Sequence, residues 1–263
     1  DLAVVVAGVY SGGRLQLGDD AELAAPASGA SSVFVASVCA SSGSFLWMRS
    51  YASPSMGGHL LSSMVATQRS VVLCGHTAAA SPVAFVASLS RASPATVEWV
   101  TEFTGKCHAV AQPSSTAKSL ALAGAAAGLV TVTDVAGTRT VQSIPSSYEW
   151  QALVASLDAR TGAWLSSEVF GSTGGIDDAR AVVAEPSGSV MVAGASRGVL
   201  AFGHPATARY PAPNADAASA TAYFARFFAP SRASAGQGSG SSPYVLYRDG
   251  GGASEGANGV AAM

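Results

Sequence analysis

The sequence predicts an all-β protein in which four units, each of four short antiparallel strands, follow one another along 263 residues. Three observations support this fold class. Apolar runs of about 5–7 residues alternate with Gly, Ser and Pro turns, which is the pattern of short strands. No segment longer than about ten residues keeps the 3.6-residue apolar stripe of a helix. Short motifs also return in the same order, which indicates a repeat protein.

The first motif is an apolar strand that ends in glycine. Its four copies are Val4–Gly8, Val71–Gly75, Leu120–Gly124 and Val190–Gly194. A stretch of small apolar residues ending in a turn precedes the later copies, as in Ala181–Gly188. We therefore expect the stretch to be the first strand of a unit and the glycine motif to be the second.

Two further motifs follow in each unit and predict the third and fourth strands. The third-strand copies are Val33–Val38, Ala84–Leu89, Ala152–Leu157 and Tyr223–Phe228, and the fourth-strand copies are Phe45–Trp47, Val97–Trp99, Ala163–Leu165 and Tyr244–Tyr247. Both alternating sets of the third strand are apolar, as expected for a sheet covered on both faces. Trp47, Trp99 and Trp164 recur at one repeat position, which predicts a packing role between units.

Insertions lie mostly between the second and third strands. Residues 128–144 predict a hairpin, with strands Val130–Thr133 and Thr138–Val141 around a turn at Ala136-Gly137. Val199–Gly203 aligns with Leu15–Gly18 and predicts a strand followed by a turn. The Gly/Ser-rich segment Ser231–Ser242 is typical of a flexible loop.

Four-stranded units in tandem are typical of the blades of a β-propeller. We expect one domain, residues 1–263, with blades at about 1–53 together with 257–263, 54–105, 106–172 and 173–250. Residues 257–263 begin another first strand, which would complete the first blade. Either four blades close into a ring, or the chain is part of a larger propeller; its start at Asp1 without Met favours a processed product or an excerpt.

The motifs resemble the bacterial-type β-propeller repeat family, often called SBBP repeats. The resemblance rests on Asp177–Gly194 and on Ser42–Trp47. The chain departs from the family pattern in lacking the acidic pair elsewhere, in having Ser for Lys in Phe-Val-Ala-Ser, and in lacking Trp in the fourth unit. The resemblance implies a surface or secreted scaffold without a shared active site, by analogy of fold.

The composition bears on the classes of partner. Charged residues make up 11% and the net charge is −2, so no basic patch is present to attract nucleic acid or an anionic membrane. Leu23–Met48 and Ser70–Ser90 are uncharged and long enough to span a bilayer, but Ser, Gly, Pro or His interrupts both, so we expect no membrane insertion. Low lysine content and the family resemblance favour an extracellular or cell-surface location.

One segment matches a catalytic motif. Gly194-Ala195-Ser196-Arg197-Gly198 fits the Gly-x-Ser-x-Gly nucleophile elbow of α/β-hydrolases. A strand rather than a helix is predicted next, no acidic residue lies between Ser196 and the last histidine, His204, and the repeat already accounts for Gly194. We therefore predict no catalytic residue and no enzyme, with a serine hydrolase acting through Ser196 as an alternative.

No metal or cofactor site is predicted. The four histidines fall at unrelated repeat positions, namely His59, His76, His108 and His204. The pairs Asp19-Asp20 and Asp177-Asp178 lack the alternating loop of a calcium site, and no glycine-rich loop has the context of a nucleotide site. Cys39, Cys74 and Cys107 contain no CxxC, so we expect three buried thiols rather than zinc; one disulfide and one free thiol is the alternative.

These observations predict a non-catalytic scaffold that binds other proteins, as a structural module of a larger surface or extracellular assembly. The alternative is a module that binds carbohydrate or another small ligand. Trp150 is the candidate ligand contact for that alternative, because it lies off the repeated Trp position and directly precedes the third-strand motif of its unit.

Overall fold

The computed structural model describes residues 3–18, 21–26, 31–51, 59–91, 96–114, 117–144, 149–172, 175–202, 208–210, 221–227 and 244–248. Within these ranges every regular element is a β-strand, and the strands form several antiparallel sheets, which confirms the all-β prediction. The predicted strand at 257–263 and the predicted loop Ser231–Ser242 lie outside the described residues.

Four sheets follow one another along the chain. Sheet 1 has the order β1 (Ala3–Ser11), β4 (Ser31–Cys39), β5 (Phe45–Tyr51), and β2 (Leu15–Leu17) and β3 (Ala21–Leu23) form a separate hairpin. Sheet 2 has the order β6 (His59–Ala66), β7 (Ser70–Thr77), β8 (Val83–Ser90), β9 (Val97–Thr104), β12 (Leu129–Asp134), β13 (Gly137–Ser143). Sheet 3 has the order β10 (Lys106–Ala111), β11 (Ser119–Ala126), β14 (Gln151–Asp158), β15 (Trp164–Gly171), β18 (Leu200–Phe202), β19 (Ala208–Tyr210). Sheet 4 has the order β16 (Asp178–Ala184), β17 (Val190–Ser196), β20 (Thr221–Phe227), β21 (Tyr244–Arg248).

Consecutive sheets pack face to face and bury an apolar core between them. Alternate residues of β7 serve different cores: Val71 and Leu73 pack toward sheet 1, whereas Val72 and Cys74 pack toward sheet 3. Every residue of β7 is buried. This explains why the motif strands are apolar on both faces, since each face meets a neighbouring sheet.

The glycine that ends the second-strand motif has a steric reason. The first strand carries a β-bulge next to it, between Cys107 and Ala109 in sheet 3. A Cβ atom added to Gly124 would lie 2.0 Å from the Lys106 carbonyl oxygen. Gly75 and Gly194 meet the carbonyl oxygens of Leu60 and Asp178 in the same way. Only glycine allows the bulged backbone to approach so closely.

The predicted insert hairpin is confirmed as β12 and β13, with its turn one residue earlier than expected, at Val135-Ala136. Its location was not expected. Although β12 lies between two strands of sheet 3 in the sequence, it pairs with β9, the fourth strand of the second unit, where Val132 faces Phe103. The predicted strand at Val199–Gly203 behaves likewise, because β18 of the fourth unit pairs with β15 of sheet 3. Each hairpin therefore joins its own unit to the preceding one.

The tryptophans pack between sheets, as predicted. Trp99 and Trp164 are 5% and 7% exposed and lie in the core between sheets 2 and 3. Trp47 packs, half-buried, against the core between sheets 1 and 2. The prediction of one shared position is wrong for Trp164, which faces Leu157, whereas Trp47 and Trp99 face the equivalent serines Ser37 and Ser88.

The prediction of three buried thiols is wrong. Cys74 and Cys107 form a disulfide, with their Cα atoms 5.8 Å apart, and Cys39 is the buried free cysteine. Sequence spacing hid the pair because the two cysteines belong to different units. They meet because β10, the first strand of sheet 3, packs against β7, the second strand of sheet 2.

The part of the chain that the structure describes contains no helix with the length and hydropathy needed to cross a bilayer. Of the two long uncharged stretches, Leu23–Met48 contains β4 and part of β5, and Ser70–Ser90 contains β7 and β8.

Candidate functional site

Polar and aromatic side chains gather where the first strands of sheets 3 and 4 begin. We call this group the strand-start cluster; its members are His76, Lys106, His108, Trp150, Asp178 and Arg180. The backbone explains the grouping, because Lys106 opens β10, Asp178 opens β16, and Trp150 directly precedes β14. His108 interacts electrostatically with the four charged or imidazole members, and Lys106 contacts the Trp150 ring.

Two histidines form the inner part of the strand-start cluster. The rings of His76 and His108 meet edge to face, with centroids 5.4 Å apart. Burial lowers the pKa of His76 and lowers that of His108 to about 4, so both rings are neutral at pH 7. Nδ1 of His76 lies 3.2 Å from the Cys107 carbonyl oxygen. Since a carbonyl oxygen only accepts, Nδ1 carries the proton, and Nε2 of His76 is left as an acceptor.

Trp150, the ligand contact predicted from the sequence, belongs to the outer part of the strand-start cluster. Its side chain is half-buried, and Nζ of Lys106 lies 4.7 Å from the ring centroid, within the range of a cation–π contact. Its carbonyl oxygen accepts hydrogen bonds from the Asp177 N–H, at 2.8 Å, and the Gln151 side chain, at 3.2 Å. One ring face is thus engaged by Lys106, and the role of Trp150 in binding a ligand stays a prediction.

Asp177 lies beside the strand-start cluster and is fully buried. Its carboxylate accepts hydrogen bonds from the Ser172 and Arg197 backbone N–H groups, the Ser172 hydroxyl and the Gln151 side chain. Burial raises its pKa, and the hydrogen bonds from Ser172 and Arg197 oppose that rise. Asp177 therefore holds the segment after β15 against the segment after β17.

The Gly-x-Ser-x-Gly match is buried at the end of β17. Ser196 is 0% exposed, and its hydroxyl lies near Asp177 without a well-formed hydrogen bond. A nucleophilic serine needs a base within hydrogen-bond reach and an open path for substrate. The structure gives Ser196 no such path, and β18 follows it as a strand. His204 lies outside the described residues.

Metal ligands do not converge in the described part of the chain. No group of three or more His, Cys, Asp or Glu side chains there could hold an ion. Asp178 is engaged by Arg180, with Nε 2.9 Å from the carboxylate. Asp19-Asp20 and the side chain of His59 are among the residues that the structure does not describe.

A cleft lies between sheets 3 and 4, near the ends of the first strands that are opposite to the strand-start cluster. This cleft has a volume of about 280 Å³. Its lining combines apolar residues such as Val154 and Phe227 with the polar residues Ser156, Ser167 and Glu168. Trp150 does not line it, so the predicted ligand contact and the cleft are separate places.

Comparison with known proteins gave no match, neither with any family model nor with any curated protein. The resemblance to the SBBP repeats therefore stays a prediction.

Sequence reasoning missed the His76–His108 contact. The two residues come from different units and from different strands of those units, β7 and β10. The neighbouring cysteines carried the one available signal, because His76 lies two residues after Cys74 and His108 directly follows Cys107. Recognising the disulfide would have placed the two rings side by side.

Proposed function

We propose that the chain is a non-catalytic scaffold of β-propeller type that binds other proteins within a larger surface or extracellular assembly. The observation that supports this most is the repeated packing of whole sheets. Residues at the same repeat positions, such as Val71 and Leu120, fill successive inter-sheet cores and are 0% and 1% exposed. Blades of a propeller bury their faces against neighbours in this way.

Rigidity supports the scaffold role. Hairpins from the third and fourth units pair with the fourth strands of the preceding units, and the Cys74–Cys107 disulfide links sheets 2 and 3. Disulfides persist mainly in oxidising compartments, which agrees with an extracellular location. Two buried groups of the described residues that could serve chemistry take part in hydrogen bonds within the fold: Asp177 accepts several, and Nδ1 of His76 donates to a carbonyl.

The best-supported surface for a partner protein lies at the tip of the β12–β13 hairpin. Val135 and Leu165 are 64% and 57% exposed. Val135 directly follows Asp134, and Leu165 directly follows Trp164. These two preceding residues are joined, because the Trp164 N–H donates a hydrogen bond to the Asp134 carboxylate at 2.8 Å. The two apolar side chains therefore lie on a fixed support, and exposed apolar groups of this kind are typical of binding surfaces.

Affinity capture with the purified chain tests this proposal. We expect a partner that the wild type captures and the double variant Val135→Lys, Leu165→Lys does not, with at least about a tenfold loss of affinity for the purified partner. The control is Leu46→Lys on β5, where the leucine is 55% exposed. Equal capture by the wild type and the double variant would contradict the assigned surface.

The cleft favours a second candidate function, the binding of carbohydrate or another small polar ligand. Serine hydroxyls and Glu168 at its rim offer hydrogen-bond partners beside apolar walls. A glycan array with two variants shows which of the two sites binds the ligand. Ser167→Trp should abolish binding in the cleft, and Trp150→Ala should abolish binding at the strand-start cluster. A wild-type array without signal would dismiss this candidate.

A further inference from the structure

The repeat position of each second-strand residue determines which neighbouring sheet its side chain faces. In sheets 2 and 3 the first and third motif residues, Val71 and Leu73 or Leu120 and Leu122, face the preceding sheet and are at most 1% exposed. The residues between them face the next sheet. This alternation follows from the two-residue period of a strand.

Sheet 1 is buried on the face toward sheet 2, as the alternation requires, but its other face is not. Val5 and Ala7 pack toward sheet 2, as their positions require. Val4 and Val6 occupy the positions that face a preceding sheet, and they are 49% and 42% exposed. Sheet 1 therefore presents an apolar face that the repeat is built to cover.

Sheet 4 presents the complementary face. Met191 and Phe224 occupy the positions that face a following sheet, and both are partly exposed. In the strand register the equivalent residues of sheet 2 are Val72 and Val86, since Phe224 faces Ala193 as Val86 faces Cys74, and both are 0% exposed. The first and the last of the four described sheets thus carry the two halves of an interface that the chain already forms between its other sheets.

The hairpin of the first unit also differs from the later hairpins in its pairing. The first strands of the later hairpins, β12 and β18, pair with β9 and β15, the fourth strands of the preceding units. The β2–β3 hairpin packs on its own sheet, where Leu17 and Leu23 contact the core around Ala36 and Met48. Among the described strands, its first strand, β2, pairs with β3 alone. At the other end, β21 is the outer strand of sheet 4, and within the described part of the chain it pairs with β20 alone.

We propose that a second copy of this chain docks head to tail: sheet 1 of one copy covers sheet 4 of the other, and β2 extends β21. The inference rests on the proposed scaffold function and names its first partner. A second copy explains the exposure better than closure of one chain on itself, because Val4 and Val6 remain exposed in the single chain. An interface between different surfaces of identical chains is heterologous and forms rings or filaments.

The repeat also gives the register. Phe103 and Phe170, which face the hairpin strands, lie opposite the first alanine of the third-strand motif, Ala84 and Ala152. The predicted third-strand copy of the fourth unit is out of register by one residue, because Gly194 faces Tyr223 as Gly75 faces Phe85. The equivalent residue of sheet 4 is therefore Arg248, opposite Ala222. Leu17 aligns with the hairpin residues Val132 and Phe202. We therefore expect Leu17 of one copy to face Arg248 of the other.

Blocking each end separately tests the docking. Val4→Lys should block the sheet 1 end and Met191→Lys the sheet 4 end, because a lysine would be buried against apolar residues there. We expect the wild type to have at least about twice the mass of one 26.0 kDa chain by light scattering. Each variant alone should be monomeric.

The decisive sample is the mixture of the two variants. Each retains one intact end, so the mixture should form a one-to-one dimer, which also shows that both variants fold. The control is Val97→Lys, since Val97 is 47% exposed on β9 away from both ends; it should assemble like the wild type. A monomeric wild type, or a mixture that stays monomeric, would overturn the proposal.

Cross-linking distinguishes a second copy from closure within one chain. In a Cys39→Ser background, chains with Gln16→Cys are mixed with chains carrying Tyr247→Cys and treated with a short bismaleimide. These residues would be diagonal neighbours about 7–8 Å apart. A band of dimer size supports the proposal. A double variant that cross-links within the monomer would overturn it in favour of ring closure.

The experiments distinguish failure of the head-to-tail docking from failure of the proposed partner surface at the tip of the β12–β13 hairpin. Lys substitutions at Val135 and Leu165 should abolish partner capture without changing the mass of the assembly. Lys substitutions at Val4 or Met191 should change the mass without changing capture by the hairpin tip. Loss of both properties in every variant would identify misfolding, which far-UV circular dichroism detects.

Discussion

Buried carboxylates hold loops in this protein in two opposite electrostatic settings. Asp134 is paired with Arg139, at 2.8 Å, and also accepts the Ala136 and Trp164 N–H groups. These contacts lower its pKa to about 2, with the Arg139 hydrogen bond as the largest cause. Asp177 has no such cation among its hydrogen-bond partners, and burial raises its pKa. Both fix chain segments, but they respond to pH in opposite directions.

Asp134→Asn should lower the free energy of unfolding by about 1–3 kcal/mol at pH 6, because the buried side chain loses its charge-assisted hydrogen bonds. The stabilisation by a carboxyl with a lowered pKa is present above its unfolded value, 3.8, and is lost as pH falls toward about 2. The wild type and the variant should therefore converge in that window. Urea unfolding at several pH values measures the difference.

The matched control for this prediction is Asp178→Asn. The Asp178–Arg180 pair has side chains 17% and 41% exposed, so its loss should cost about 0–1 kcal/mol. The opposite pH response of Asp177 is common to all three chains and cancels from the comparison. A pH-independent difference between the wild type and Asp134→Asn would contradict the assigned role of the ion pair.

At the scale of elements, the recurring glycine is part of the strand pairing. Gly124→Ala places a methyl group against the Lys106 carbonyl, so the β-bulge of β10 must shift. We expect a loss of about 1–3 kcal/mol in the free energy of unfolding, as for other overpacked sites. Gly13→Ala is the control, because a Cβ atom there meets nothing within 4 Å. Urea unfolding of both variants measures the effect, and equal stabilities would show that the bulge relaxes freely.

The strands were predictable from the sequence because burial on both faces leaves continuous apolar runs, as in Val71–Gly75. The exchange of hairpins was not, since Val130–Thr133 reads as a strand whichever sheet it joins. The strand-start cluster escaped for the same reason: His76 and His108 become neighbours only through the packing of β7 on β10. Local pattern determines elements, whereas pairing between units depends on the geometry of whole sheets.

At the scale of the whole molecule, stability depends on how firmly consecutive sheets are joined. Sheets 2 and 3 share the largest described core, the exchanged β12–β13 hairpin and the only disulfide among the described residues. Sheets 3 and 4 share a core and the short β18–β19 hairpin. Sheets 1 and 2 share a core alone, since the loop between β7 and β8 carries no hairpin. We therefore expect the middle pair to be the most stable part of the chain.

The disulfide contributes to this order by restricting the unfolded chain across 33 residues. Loop-closure entropy gives about 3–4 kcal/mol for such a loop. The double variant Cys74→Ala, Cys107→Ala should lose about that much in the free energy of unfolding by urea, and reductant should lower the wild type to a similar value. Cys39→Ala should change stability by less than about 1.5 kcal/mol, because it leaves the cross-link intact.

Hydrogen exchange tests whether the two joined sheets unfold together. Because the disulfide joins β7 to β10, exchange in the double variant should accelerate in both strands together. Acceleration in one sheet alone would show that the sheets do not unfold as a unit.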